Sequence, residues 1–320
     1  MIRHLFASGL ALITASTLAT AQVPRVATDI APVHSLVTRV MQGVGEAALV
    51  VPPNASPHGH AMRPSEAASL ETAQLVFWIG DDLTPWFGEA VETLAPQAHL
   101  VELLHHQDTL TQPARTLALF AAPPEGNEAK DDDHDDDHGH SHGHADDSID
   151  PHAWLDPENG KIWLKVIATE LSKADPANAA RYAENAAAGA REIADVVQDI
   201  DALLLPNRAK PFVVFHDAFQ YFEKRFALSA TGSIAISDGT KPGPARVAEI
   251  RAAVIAADVQ CIFAEPQFNQ GLTTTVAEGT GARVAVLDPI GTGLKPGPDL
   301  YREMLHDLAT GIKGCLQDDQ

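Results

Sequence analysis

Four side chains stand at places where a chain of this pattern can hold a cation. His216 closes the apolar run FVVFH (212–216), and Asp288 closes ARVAVLD (282–288). His58 follows a second apolar run after a turn rich in Pro, Asn and Ser, VVPPNASPHGH (50–60). His152 lies in IDPHAWLDP (149–157), where the chain leaves a strongly acidic stretch. Three imidazoles and one carboxylate can complete a four-coordinate zinc site. Their wide separation is unlike the short-spaced pairs of zinc fingers and suits an ion gripped by distant loops of two lobes. Taken singly, each is as readily a core or surface residue as a ligand.

A second group of histidines is local. The stretch KDDDHDDDHGHSHGHADDSID (130–150) carries eight aspartates before its last three residues, with His134, His138, His140, His142 and His144 among them. Its composition bars it from a core, and a solvated acidic segment without fixed structure in the metal-free state is expected over about 125–148. Solvation alone does not explain five histidines within eleven residues. Histidine-rich tracts bind metal, and the aspartates raise the local cation concentration. A weak, multi-ion collecting loop is expected.

The elements that must position these residues follow from the apolar pattern. RVATDI (25–30), ALVVP (48–52), AQLVFWIG (73–80) and HLVELL (99–104) read as strands, as do FVVFH (212–216), LSATGSIAI (228–236), VQCIFAEP (259–266) and ARVAVLDPI (282–290). Helix-period segments separate most of them. Near-continuous apolar strands alternating with helices indicate α/β architecture: two lobes, each with a four-stranded, mainly parallel sheet flanked by helices. In such sheets ligands bind beyond the carboxyl ends of the strands, where His216, Asp288 and, after a turn, His58 fall, while His152 stands on the re-entry from the acidic stretch. Residues 176–206, bounded by Pro176 and Pro206, predict one long rigid helix joining a lobe at 22–175 to a lobe at 207–320.

The first residues read as an export signal. A short basic start precedes LFASGLALITASTLA, and Ala19-Thr20-Ala21 fits the small-x-small cleavage rule, so residues 1–21 are expected to be removed. The apolar run is short for a membrane span. No cysteine lies near the cleavage point, so no lipid anchor is expected; the two cysteines, Cys261 and Cys315, suggest one disulfide in an exported chain. A formal charge of −21 argues against nucleic acid and anionic membrane as partners. HExxH, a nucleophile elbow and a phosphate loop are all missing, which speaks against catalysis.

Together, VPPNASPHGHAMRPSEAASLETAQLVFWIG, DPHAWLDPENG, FHDAFQYF, FAEPQFN and LDPIGT resemble the metal-binding receptors of cluster A-I ABC importers, and more narrowly the zinc-binding, ZnuA-like branch. The likeness runs in order over nearly the whole mature chain, including the Asp/His insertion and the cysteine pair. It implies two α/β lobes joined by a long helix, with metal held between them by His58, His152, His216 and, at the fourth position, Asp288, water or another carboxylate. Manganese-type relatives place a carboxylate where His216 stands, and imidazole-rich sites suit zinc better than manganese. The resemblance further implies a monomeric periplasmic receptor, not an enzyme, that delivers Zn2+ to an inner-membrane permease with a cytoplasmic ATPase. A receptor for another divalent metal such as manganese, a periplasmic zinc buffer and a zinc-dependent hydrolase are the alternatives. His34, His105 and His106 read as ordinary loop or helix-start residues; His60 as a surface residue or one that backs the site; Asp217 and Glu265 as groups that orient ligands or cap helices; Trp154 as packing beside His152.

Overall fold

The central strands are buried on both faces and the outer ones only in part. In the computed structural model, which describes residues 23–117, 119–120, 148–235 and 242–317, the first lobe runs β1 (Val26–Thr28), α1 (Ala31–Met41), β2 (Ala47–Leu49), α2 (Pro64–Glu71), β3 (Leu75–Trp78), α3 (Pro85–Leu94) and β4 (His99–Glu102). Two helices follow, α4 (Pro157–Ala174) and α5 (Ala179–Leu204). The second lobe runs β5 (Phe212–His216), α6 (Gln220–Phe226), β6 (Ala230–Ala235), α7 (Pro244–Ala256), β7 (Cys261–Ala264), α8 (Gly271–Ala277), β8 (Arg283–Val286) and α9 (Leu300–Leu316). The expected leader, 1–21, and the histidines at 134, 138, 140, 142 and 144 lie outside the described residues. Among the described residues no helix is long and apolar enough to cross a membrane.

All sheet pairings are parallel, in the orders β2-β1-β3-β4 and β6-β5-β7-β8. The two lobes thus repeat one topology. The strand order reverses between β1 and β3 in one lobe and between β5 and β7 in the other, and the crevice beyond those strand ends is where such sheets bind ligands. The four central strands are buried along their whole length, as their unbroken apolar runs require. At the first reversal the buried carboxyl of Asp29 accepts from the backbone N–H of Ile30 (2.7 Å) and of Ile79 (2.8 Å), tying the ends of β1 and β3 together.

The helix α5 holds the lobes at a fixed distance. Its 26 residues span about 39 Å, with 3₁₀ turns at Pro176–Asn178 and Leu205–Asn207 extending it at both ends. Its apolar face packs on α1, α4 and α9. One continuous core includes Ile30 and Leu36 from the first lobe, Trp163 and Tyr182 from the joining helices, and Phe212, Tyr301 and Met304 from the second. Gly160 in α4 allows part of this closeness: a Cβ there would lie 2.5 Å from the Tyr301 hydroxyl, which donates to the Trp154 carbonyl at 2.7 Å.

A strap crosses between lobes just before the acidic stretch. The Gln112 N–H donates to the Tyr221 hydroxyl, Leu119 bridges Gly232 antiparallel, and the Phe120 N–H donates to Thr231 O, so the outgoing limb ends on the edge of β6. The returning limb pairs with the strap itself at Pro113–Ile149. Arg115, in the strap, donates to Asp217 (Nε–Oδ2 2.9 Å) and Glu223 (Nη2–Oε1 2.9 Å) of the second lobe. Cys261, at the start of β7, is bonded to Cys315 in the last turn of α9, as two cysteines in an exported chain suggest.

Candidate metal centre

Each histidine is placed by a different piece of local structure. His216 is the last residue of β5 and 5% exposed. His152 is 6% exposed and precedes the 3₁₀ turn Ala153–Leu155, which leads into α4 through Asp156. That aspartate accepts from the Glu158 N–H at 2.9 Å as the helix cap and is also gripped by both ends of the Arg225 guanidinium at 2.8 Å. His58 sits in a 3₁₀ turn, Pro57–Gly59, whose Pro57 carbonyl accepts from the Trp86 indole N–H at 2.8 Å.

The three rings converge. Their centroids lie 5.6 Å (His58–His152), 6.3 Å (His58–His216) and 5.2 Å (His152–His216) apart, and one ring nitrogen of each falls within 4.8 Å of the others. His152 Nε2 and His216 Nε2 are 3.3 Å apart. With metal–nitrogen bonds of about 2.0–2.1 Å, the edge of a tetrahedron around zinc is about 3.3–3.4 Å. The far nitrogens explain why the Nε2 atoms face inward. His152 Nδ1 lies 2.7 Å from Asp150 Oδ1 and His216 Nδ1 lies 2.6 Å from Glu265 Oε1. A carboxylate there keeps the proton on Nδ1, leaves the Nε2 lone pair for a metal and raises the ring's basicity.

The acids beside the rings are themselves buried. Burial pushes the Asp150 carboxyl up to about 7, against the pull of the His152 N–H, Arg115, His216 and His58; burial likewise holds Asp217 up at about 6 despite Arg115. Glu265 Oε2 is buried without a hydrogen-bond partner. Trp154, Phe268 and Ile290 close the site on one side. On the other a cleft of about 470 Å³ opens, lined by the three histidines with Asp82, Arg115 and Ser148.

Asp288 does not join the converging donors. The strand β8 ends at Val286, two residues earlier, and the Asp288 carboxylate folds back on its own turn. It accepts from the N–H groups of Ile290 (3.2 Å), Gly291 (3.1 Å) and Thr292 and from the Gln267 amide (2.9 Å). The turn so held braces two ligand loops: the Thr292 hydroxyl donates to Pro53 O at 2.8 Å, and Pro289 O accepts from the Trp154 indole at 2.7 Å. His60 is likewise outside the group; it bonds to Glu66 Oε2 at 2.8 Å, beside Trp86. Sequence reasoning passed over Asp150, although its place two residues before His152 is that of an aspartate whose side chain accepts the i+2 N–H, here at 3.0 Å.

Two repeated α/β lobes on a rigid helix, with three converging imidazoles between them, two of them backed by carboxylates, define a cleft-type metal-binding receptor. The chain belongs to the family of the periplasmic zinc-uptake complex component A, ZnuA, whose model matches residues 26–315. The high-affinity zinc uptake system protein ZnuA of Brucella abortus (strain 2308) is 40% identical over 304 residues, 91% of each chain. Its counterpart in Paracoccus denitrificans (strain Pd 1222) is 39% identical over 315 residues, 97% of each chain. A crystal structure of ZnuA superposes with a TM-score of 0.72 at 22% identity, covering 92% of this chain and all of the other. The solute-binding protein FpvC of Pseudomonas aeruginosa, in complex with Mn2+, gives 0.75 at 21%, covering 92% and 99%. At that identity the structural likeness establishes the shared fold. Membership of the ZnuA family places the chain among transport receptors, not enzymes.

Proposed function

We propose that the protein is the zinc receptor of a periplasmic uptake system: it captures Zn2+ on His58, His152 and His216 and hands it to an inner-membrane ABC permease driven by a cytoplasmic ATPase. The observation that carries this reading is the 3.3 Å separation of two inward-facing Nε2 atoms, each ring backed by its own carboxylate. An all-imidazole set favours zinc over manganese, which prefers oxygen ligands. Water from the cleft supplies the fourth donor, while Asp288 acts through the turn it holds. Glu265, the carboxylate beside the rings, is engaged through Oε1 by the His216 ring and N–H, the place of a group that orients a ligand. The acidic stretch with His134, His138, His140, His142 and His144 gathers further ions weakly, because ordering an unscaffolded segment around metal costs about 1–2 kcal/mol per residue fixed. The limbs that bracket it, at Arg115 and Ser148, line the cleft of the three histidines.

Reconstituted permease and ATPase in proteoliposomes test the transport reading. Zinc-loaded receptor should stimulate ATP hydrolysis and zinc entry, and zinc-free receptor should not. Tight zinc binding with no effect on either activity would leave a periplasmic buffer and remove the importer.

A further inference from the structure

A second set of donors stands on the rim of the same cleft. Asp82 lies four residues beyond β3, Glu102 is the last residue of β4, and His105 follows three residues later, so all three project from the ligand-binding end of the first sheet. His105 Nε2 is 2.7 Å from Asp82 Oδ2 and 3.9 Å from Glu102 Oε1, and one donor atom of each residue lies within 4.8 Å of the others. The backbone makes room for this arrangement: Gly80 has a φ of +149°, and a Cβ there would collide with Glu102 Oε1. The side chains are only partly exposed, 31% for Asp82, 36% for Glu102 and 45% for His105, so a cation could reach them from solvent while losing part of its hydration.

We propose that Asp82, Glu102 and His105 form a second, low-affinity zinc site at the mouth of the cleft that leads to the three histidines. Zinc takes imidazole nitrogen and carboxylate oxygen as ligands, and three such donors leave a fourth position open. The charge balance supports it, since burial raises the Glu102 carboxyl, the neighbouring Asp81 and Asp82 raise it further, and His105 is the one positively charging group that opposes them. Asp82 also raises His105 through its hydrogen bond, so an arriving ion competes with a proton for that nitrogen. Asp82 lines the cleft together with His58, His152 and His216, which makes the site a way-point on the wall of the entrance. The sequence treats His105 as an ordinary loop histidine, and only the folded sheet brings it to Glu102 and Asp82. The proposal does not depend on delivery to a permease.

Histidine acylation by diethyl pyrocarbonate, read peptide by peptide by mass spectrometry on the full chain in buffered free zinc, resolves each residue. One equivalent of zinc should protect His152 and His216 and leave His105 reactive. At higher free zinc, acylation of His105 should slow about tenfold once the ion exceeds the site's Kd about tenfold. In the D82N–E102Q variant the same zinc should leave the His105 rate unchanged while His152 and His216 stay protected. If the double variant loses that protection, E102Q alone takes its place with the same reading. A His105 rate that zinc never alters, or protection that survives loss of the carboxylates, overturns the site. Failure of protection at His152 and His216 in the wild-type chain would count against the primary centre instead.

Discussion

Removing one imidazole separates ligand from scaffold. In His216→Ala one of the two Nε2 atoms that stand 3.3 Å apart is lost, whereas E265Q keeps the ring and replaces only the carboxylate behind Nδ1. A nanomolar site corresponds to about 12 kcal/mol, so one donor in three carries about 4 kcal/mol, and H216A should weaken zinc about a thousandfold. Loss of an outer-shell carboxylate typically costs about 10–100-fold, which sets the expectation for E265Q. Asp288 touches the loops of His58 and His152 only through Thr292 and Pro289. D288A should therefore weaken zinc less than about tenfold, while freeing turn N–H groups costs about 1–3 kcal/mol of stability. Competition against a chromophoric zinc chelator measures the affinities, and denaturant unfolding of the zinc-free proteins measures the stabilities. A D288A protein as impaired as H216A would refute the reasoning, because it would put Asp288 among the ligands; an unimpaired H216A would remove the centre altogether.

Three other perturbations bear on the scaffold and the loop. Burial raises the Asp29 carboxyl to about 7, against the pull of its two backbone N–H donors, so its contribution to stability is full below about pH 4 and is lost as pH rises through 7. D29N should be less stable than wild type at pH 4, and the gap in unfolding free energy should narrow towards pH 7, by roughly 4 kcal/mol at most; a gap that widens would mean the carboxylate is held ionised. Replacing both Cys261 and Cys315 by Ala opens a loop of sequence separation 54 and should lower stability by about 4 kcal/mol. Zinc affinity should hold, since the bridge lies at the start of β7 and the site beyond its end; equal unfolding midpoints would show that the bridge does not constrain the chain. Deleting residues 125–147 should leave one tight zinc site by calorimetry and remove the weak ones, and loss of the tight site would make the segment a source of primary ligands.

The fold is legible where burial is one-sided in its demands. Continuous apolar runs mark β1, β3, β5 and β7 because both faces of those strands are covered, and the two prolines bracket α5 because proline fits a helix start and stops a helix interior. The three histidines are legible from the family resemblance, with His216 at a strand end and His58 after a strand and turn as further signals. Asp288 is harder to place because the sequence cannot say where β8 stops. The tetrapeptide that follows it, Pro-Ile-Gly-Thr, is nevertheless turn chemistry and points to an aspartate that caps its own loop. The strap is illegible for a different reason. Arg115 pairs with Asp217 across 102 residues of sequence, and Leu119 meets Gly232 in a single bridge, too short for any period to register.

The core shared by the two lobes limits how the molecule can announce its cargo. A wide hinge swing would bring residues such as Ile30, Leu36, Tyr301 and Met304 into water, all of them buried in that core. Exposing one large apolar side chain costs about 1.5–3 kcal/mol, so uncovering even four rivals the whole stability of an ordinary domain. Stiffness of that kind confines the difference between a full and an empty molecule to what overlies the core: the turn carrying His58, the Asp288 turn that braces it, and the strap at Arg115. For the proposed membrane partner the difference between the two lies at the rim, and ion release becomes a question of how fast ligands exchange there.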